Sequence, residues 1–288
     1  MSDHLLRLLS TDGLLRASIA DTTLTCNEAC RRQGSDPTAS VALGRLLTGT
    51  ALLGSQLKGE QRLALQVEGN GPLHKIFAES DAEGHVRASL KNPVAGLPPK
   101  DDRFDVAGAV GRAGFLHVYK DLGLGEPYHG MVQLQSSEIG DDIAYYLATS
   151  EQIPSSVAVG VRLSGNGSVA AAGGFLIQAL PGCPPEPLLA LEERIPSLVS
   201  VTEQLFASRS LKEIAKEVMG EIDFGIVAET ALAFRCNCSR AQILRMLTGL
   251  SKEERQDLAS REDATSVTCE YCRENYSFTP AELAALQG

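Results

Sequence analysis

The chain has no tryptophan, and aromatic residues make up only 5% of its 288 positions, so its cores must be mainly aliphatic. No histidine follows His129; His4, His74, His85, His117 and His129 complete the set. Basic residues are also short, with 26 Lys and Arg against 36 Asp and Glu, a net charge of −10. That balance opposes a general nucleic-acid binder and opposes attraction to anionic lipid. No window approaches the ~20 apolar residues of a membrane span. Met1-Ser2-Asp3-His4 does not open a signal peptide. There is no internal repeat and no low-complexity tract. The expected location is the cytoplasm, where thiols stay reduced. Paired cysteines there bind metal or sense redox state more than they form permanent bridges.

What remains is ordinary globular composition, 43% hydrophobic and 22% charged. Residues 1–183 read as an α+β domain. The small apolar residues of 40–57 (SVALGRLLTGTALLGSQL) predict a buried helix. Residues 62–68 (RLALQVE) alternate as a half-buried strand does, and the Gly69-Asn70-Gly71-Pro72 turn follows. Further strands are expected at 75–79, 85–90, 115–120, 130–134, 157–163 and 170–180, with a helix at 141–148. A sheet with helices on one face is the simplest assembly. Asp101-Asp102 and Asp141-Asp142 read as solvated surface or a helix start.

Four prolines between Pro181 and Pro187 mark a boundary. Residues 184–225 read as a helical linker with eight acids and four bases, a net of −4. Pro196 is expected to cut its first helix short, and Ser210 with Glu213 forms a capping box for a later one. Helices this short need a partner surface, so the linker is expected to be stable only while docked.

Residues 226–288 hold four cysteines in two tight pairs: Cys236-Asn237-Cys238, then thirty residues, then Cys269-Glu270-Tyr271-Cys272. Two such pairs supply the four thiolates of a tetrahedral zinc site. Sixty residues with so little apolar mass make a marginal core, which metal binding would complete. Arg235, Arg240 and Arg273 flank the pairs and could offset their negative charge. Four-thiolate sites are closed, which favours structural over catalytic zinc. On the thiols alone, an ion whose sulfurs are never oxidised in function is the simpler reading. The same sulfurs are nonetheless nucleophiles. An oxidant converts one to a sulfenic acid, which condenses with a neighbouring thiol, the nearest being in its own pair.

The chain resembles the redox-regulated thirty-three-kilodalton heat-shock chaperones, bacterial holdases switched on by oxidation. The resemblance rests on residues 234–240 (FRCNCSR), 269–278 (CEYCRENYSF), 146–154 (YLATSEQIP), 172–182 (AGGFLIQALPG), 65–73 (LQVEGNGPL) and 128–134 (YHGMVQL). It implies a reduced form inactive with zinc on Cys236, Cys238, Cys269 and Cys272. It implies that heat plus oxidant forms Cys236–Cys238 and Cys269–Cys272, expels zinc and unfolds the linker. The active form would be a homodimer that holds unfolding client proteins without ATP or another nucleotide, as a binding protein and not an enzyme. Cys26, Cys30 and Cys183 lie outside that pattern. Cys26 and Cys30 share a helix face over 25–33 and read as small buried hydrophobes, with a second metal or sensor site as the alternative. Cys183 is expected to be exposed.

Two rivals stand beside the holdase. A thiol–disulfide oxidoreductase would use Cys269 and Cys272 but needs that motif at a helix N-terminus in a thioredoxin-like fold. A zinc-ribbon nucleic-acid module is opposed by charge, since residues 226–288 carry seven bases and nine acids, a net of −2.

Overall fold

The structure, a computed structural model, describes residues 2–100 and 103–285; Asp101-Asp102 lie outside them. The α+β expectation holds, but the strands form two large sheets rather than one. Strands β1 (His4–Ser10) and β2 (Leu15–Asp21) open the chain, followed by helices α1 (Thr23–Gln33) and α2 (Pro37–Gly54). Next come β3 (Arg62–Gly69), β4 (Lys75–Asp81), β5 (His85–Leu90), α3 (Val106–Val110), β6 (Gly114–Asp121) and β7 (Tyr128–Gln133). Helix α4 (Gly140–Thr149), β8 (Ser155–Leu163) and β9 (Val169–Ala179) precede the linker helices α5 (Pro185–Arg194), α6 (Val201–Phe206) and α7 (Leu211–Met219). Strands β10 (Phe224–Ala231) and β11 (Ala233–Phe234) then lead into α8 (Arg240–Thr248), α9 (Lys252–Ser260), β12 (Thr265–Thr268), β13 (Asn275–Phe278) and α10 (Pro280–Ala284).

The first sheet runs β10-β1-β2-β9-β8 and the second β11-β5-β4-β3-β6-β7. Helix α2 lies between them and packs on β8 and β9 of one and on β4 and β5 of the other. It starts cleanly because Pro37 occupies its first turn and Asp36 accepts a hydrogen bond from Ala39 N at 2.8 Å. Sixteen of its residues, Thr38 to Gly44 and Leu46 to Gly54, are buried. A Cβ on Gly44 would run into Val161, and one on Gly49 into Ile143, so glycine sets how closely the helix approaches its neighbours.

The outer face of the first sheet carries a second core. Leu6, Leu8, Ile19, Phe175 and Ile177 from the strands meet Leu188, Leu191, Leu211, Ile214 and Val218 from the linker helices. Helix α5 stops at Arg194 just before Pro196, and the Ser210–Glu213 capping box opens α7. Strands β1 and β2 carry no clear alternation, because both faces of each are covered by different cores. Residues 226–235, counted with the cysteine module on sequence, instead lie on the edges of the two sheets. By compactness the chain divides into a unit ending at Arg235 and one beginning at Cys236.

One surface expectation needs correction: Cys183 is half-buried and packs against the linker core. Cys26 and Cys30 are buried as small hydrophobes, as expected, and burial pushes both thiols up, away from reactivity. Asp141 and Asp142 start a helix, in the first turn of α4, but Asp142 is buried and not solvated. Its Oδ1 accepts from the backbone N–H of Gln135, Ser136 and Ser137, and its Oδ2 from Ile139. Those bonds hold Ser137 and Ile139 at φ +64° and +73°, where non-glycine residues are strained. Replacing Asp142 with Ala strands these donors in a buried loop. We expect a loss of about 3 kcal/mol, read as a lower urea midpoint for the first unit.

On the exposed face of the second sheet His117 Nδ1 lies 3.1 Å from His129 Nε2, with the rings nearly parallel at 11°. Burial, then the neighbouring imidazole, lowers the His117 pKa below its ordinary 6.5. The folded state therefore resists protonating this residue. Its stabilising effect is full above 6.5 and is lost as pH falls from there through the lower folded-state value. His117→Gln should flatten this acid-side slope in a stability–pH profile, and NMR titration should place the wild-type His117 midpoint below that of unfolded chain.

Candidate metal centre

Cys236 and Cys238 follow β11 and end where Ser239 caps α8 by accepting from Gln242 N at 3.2 Å. A two-residue spacing in extended chain brings both sulfurs toward one point. Cys269 and Cys272 occupy the turn between β12 and β13, which pair antiparallel from Thr265–Phe278 to Thr268–Asn275. Cys269 N donates to Glu274 O at 2.9 Å, and Arg273 N to Cys269 O at 3.0 Å. Arg273 takes φ +60°, which turns the chain sharply enough to close the knuckle.

The four Sγ atoms lie within 4.8 Å of one another. The closest contacts cross between knuckles: Cys236–Cys269 at 3.7 Å and Cys238–Cys272 at 3.2 Å. Sulfurs at the corners of a tetrahedron about 2.3 Å from a central zinc sit about 3.8 Å apart. The donor set therefore fits zinc in number, type and spacing. Cys269 and Cys272 are buried; Cys236 and Cys238 are half-buried. Burial first, and then hydrogen bonds from the Cys272 S–H to the other three sulfurs, push the Cys272 thiol up. Four sulfurs this close ionise together only around a cation.

All four predicted ligands are thus brought together. The sequence reading missed two features. Tyr276 places its hydroxyl 3.2 Å from Cys238 Sγ. A second group, Asp81, Glu83 and His85, clusters at the β4–β5 turn. Its imidazole already meets the Arg235 guanidinium at 3.1 Å. Arg240 does not stand by the sulfurs as a free counter-charge. It bonds Ser277 O at 3.0 Å and Glu282 at 2.7 Å and stacks over Phe278.

The family model described as Hsp33 protein matches residues 3–279. The chain belongs to the Hsp33 family. It is 55% identical over 286 residues to the 33 kDa chaperonin of Syntrophotalea carbinolica, covering 99% of each chain. It is 40% identical to that of Bacillus subtilis, covering 99% of this chain and 98% of the relative. The crystal structure of the 33 kDa chaperonin (heat shock protein 33 homolog) from Thermotoga maritima superposes with a TM-score of 0.91 at 35% identity, over 100% of this chain and 98% of that one. Hsp33 membership supports a chaperone function, and these relatives are named chaperonins. Among the described residues no helix is long and apolar enough to cross a membrane.

Among its described residues the cysteine unit has a small core, in which Ile243, Phe278 and Leu283 are the buried members of the apolar cluster. A unit this thin would gain its stability from a bound metal. We expect one zinc per reduced chain by elemental analysis, and much less in Cys238→Ser or Cys272→Ser. Chelation should release the amides of residues 236–285 to hydrogen exchange while the first unit stays protected.

Proposed function

We propose that this protein is a redox-regulated, ATP-independent holdase whose switch is the zinc-binding set Cys236, Cys238, Cys269 and Cys272. The observation that carries the reading is the coincidence of four converging thiols with a unit too small to stand without a metal. Zinc, when bound, supplies the cross-link that completes that unit. The chain's own sulfurs do the rest. A thiolate attacks peroxide to give a sulfenic acid, and its pair-mate condenses with it. Each bridge takes two electrons from two sulfurs and, with two protons, turns one peroxide into two waters. Bridged sulfurs carry no charge and no longer hold a dication.

We assign the bridges as Cys236–Cys238 and Cys269–Cys272. The shorter cross-knuckle contacts last only while both knuckles are held together. Pair-mates two or three residues apart stay close by connectivity once the unit opens. The arrangement does not favour a disulfide oxidoreductase, because Cys269 and Cys272 sit in a hairpin turn and not at a helix N-terminus.

The second half of the switch is the linker, 184–225, with the domain before it at 1–183 and the redox unit after it. Its helices cover the outer core of the first sheet incompletely. A cavity of about 200 Å³ remains under Ile195–Thr202, lined by Ala158, Gly160, Phe175 and Val218. The polar clasp between Arg162 and Glu203, with Arg162 stacked over Phe206, is exposed and weak. Release of the linker bares an apolar sheet face for unfolding client proteins, in a cytoplasmic protein that works as a homodimer when oxidised.

The test follows light scattering of a heat-unfolding client enzyme while a colorimetric chelator reports zinc. Peroxide at heat-shock temperature should release the zinc and suppress aggregation at least about tenfold better than the reduced form, with full reversal by dithiothreitol. Equal suppression by both forms would sink the proposal.

A further inference from the structure

One segment, residues 224–235, closes an edge of both large sheets. Its first part is β10, paired antiparallel with β1 from Ser10–Phe224 to His4–Ala231. Leu232 N then donates to Asp3 O at 3.0 Å, and the chain crosses to the other sheet. There Ala233 N donates to Gly84 O and Arg235 N to Val86 O, both at 3.2 Å, which makes β11 a parallel strand on β5. Cys236 is the next residue. The strap therefore ends where the redox set begins.

Strand β10 is held mainly by its backbone, and the side chains that anchor the strap lie at its ends, Phe224 on the outer core and Leu232 and Phe234 on the inner one. No side chain of β10 is buried, and Ile226 and Val227 are 43% and 58% exposed. Strand β1 is the reverse. Leu5, Leu6 and Leu8 are each 1% exposed and belong to the two cores on its opposite faces. The strap also fits imperfectly. The register slips between Arg7 and Leu8, leaving Val227 as a bulge, and Arg7 Nε is buried there without a hydrogen-bond partner.

We infer that the strap occupies a client's place. This rests on the holdase reading above and adds where the client binds. When the redox unit opens, the tether at Cys236 goes slack and residues 224–235 peel away. Strand β1 then offers a row of open N–H and C=O groups beside the apolar side chains Leu6 and Leu8. Such an edge takes an extended polypeptide by strand addition. The strap shows what chemistry the slot accepts. Phe-Gly-Ile-Val-Ala-Glu-Thr-Ala is apolar, β-branched in part, and carries a single charge. The partner is thus an extended, low-charge segment of an unfolding protein, paired antiparallel with β1.

Hydrogen exchange on the full chain tests this in three states: reduced, oxidised alone at two protein concentrations, and oxidised with a heat-unfolded client. The amides of β1 that face β10 should exchange about tenfold faster on oxidation. Client should restore protection at β1. Three results overturn the inference: β1 stays protected in an oxidised chain that suppresses aggregation; β1 opens but remains open in the client complex; or β1 regains protection without client as protein concentration rises, which would assign the slot to a second copy. If the oxidised chain fails to suppress aggregation at all, the holdase reading itself is lost.

A second arm needs no oxidant. A Cβ on Gly84, at φ +84°, would collide with Ala231 O beneath the strap. Gly84→Ala, with Phe234→Ala as the alternative should the first misfold, should loosen β10 and capture client while zinc is retained. Faster exchange of β10 with no gain in client capture would also overturn the inference.

Discussion

The packing of α2 between two sheets is the constraint on which the first unit depends. A helix in that position can present no polar face, so its sequence is Ala, Leu, Val, Gly, Ser and Thr almost throughout. Its hydroxyls are satisfied locally: Thr48 meets Thr22 at 2.7 Å, and Thr50 donates to its own helix at Leu46 O. Both sheets take their spacing from it. Close packing of this kind tolerates little change in volume. The parts proposed to switch, the linker helices and the strap, lie outside it.

Much of this was legible in the sequence. The composition of residues 40–57 gave the buried helix, and alternation gave β3 to β6 nearly to the residue. Pro196, Ser210 and Glu213 punctuated the linker as helix-stop and capping rules require. The four sulfurs announced themselves by spacing. What the sequence hid is what depends on non-local partners. Strand β1 (HLLRLLS) lacks clean alternation because two different cores cover it. Strand β10 lacks it because neither face is covered. Asp142 looked like surface because nothing local shows that a loop six residues upstream will wrap its carboxylate. Tyr276 reaches Cys238 across thirty-eight residues, a contact that no spacing rule encodes.

The two units contrast in kind. The first is held by two aliphatic cores. The second has, among its described residues, an apolar cluster with three buried members beside a knot of sulfur. Stability concentrated in one chemical group is stability that one chemical reaction can remove. The order of the chain then matters, since Cys236 follows directly on the segment that closes both sheets.

That order also bears on how the protein is made. Strand β1 leaves the ribosome first, yet the strand that covers its edge begins at Phe224, more than two hundred residues later. At about 5–20 residues per second, the wait is on the order of ten to forty seconds. Throughout it the nascent chain carries an uncapped, leucine-rich edge of the kind that seeds aggregation. Newly synthesised copies must therefore either stay sparse on the messenger or be shielded by other factors until the last fifth of the chain emerges.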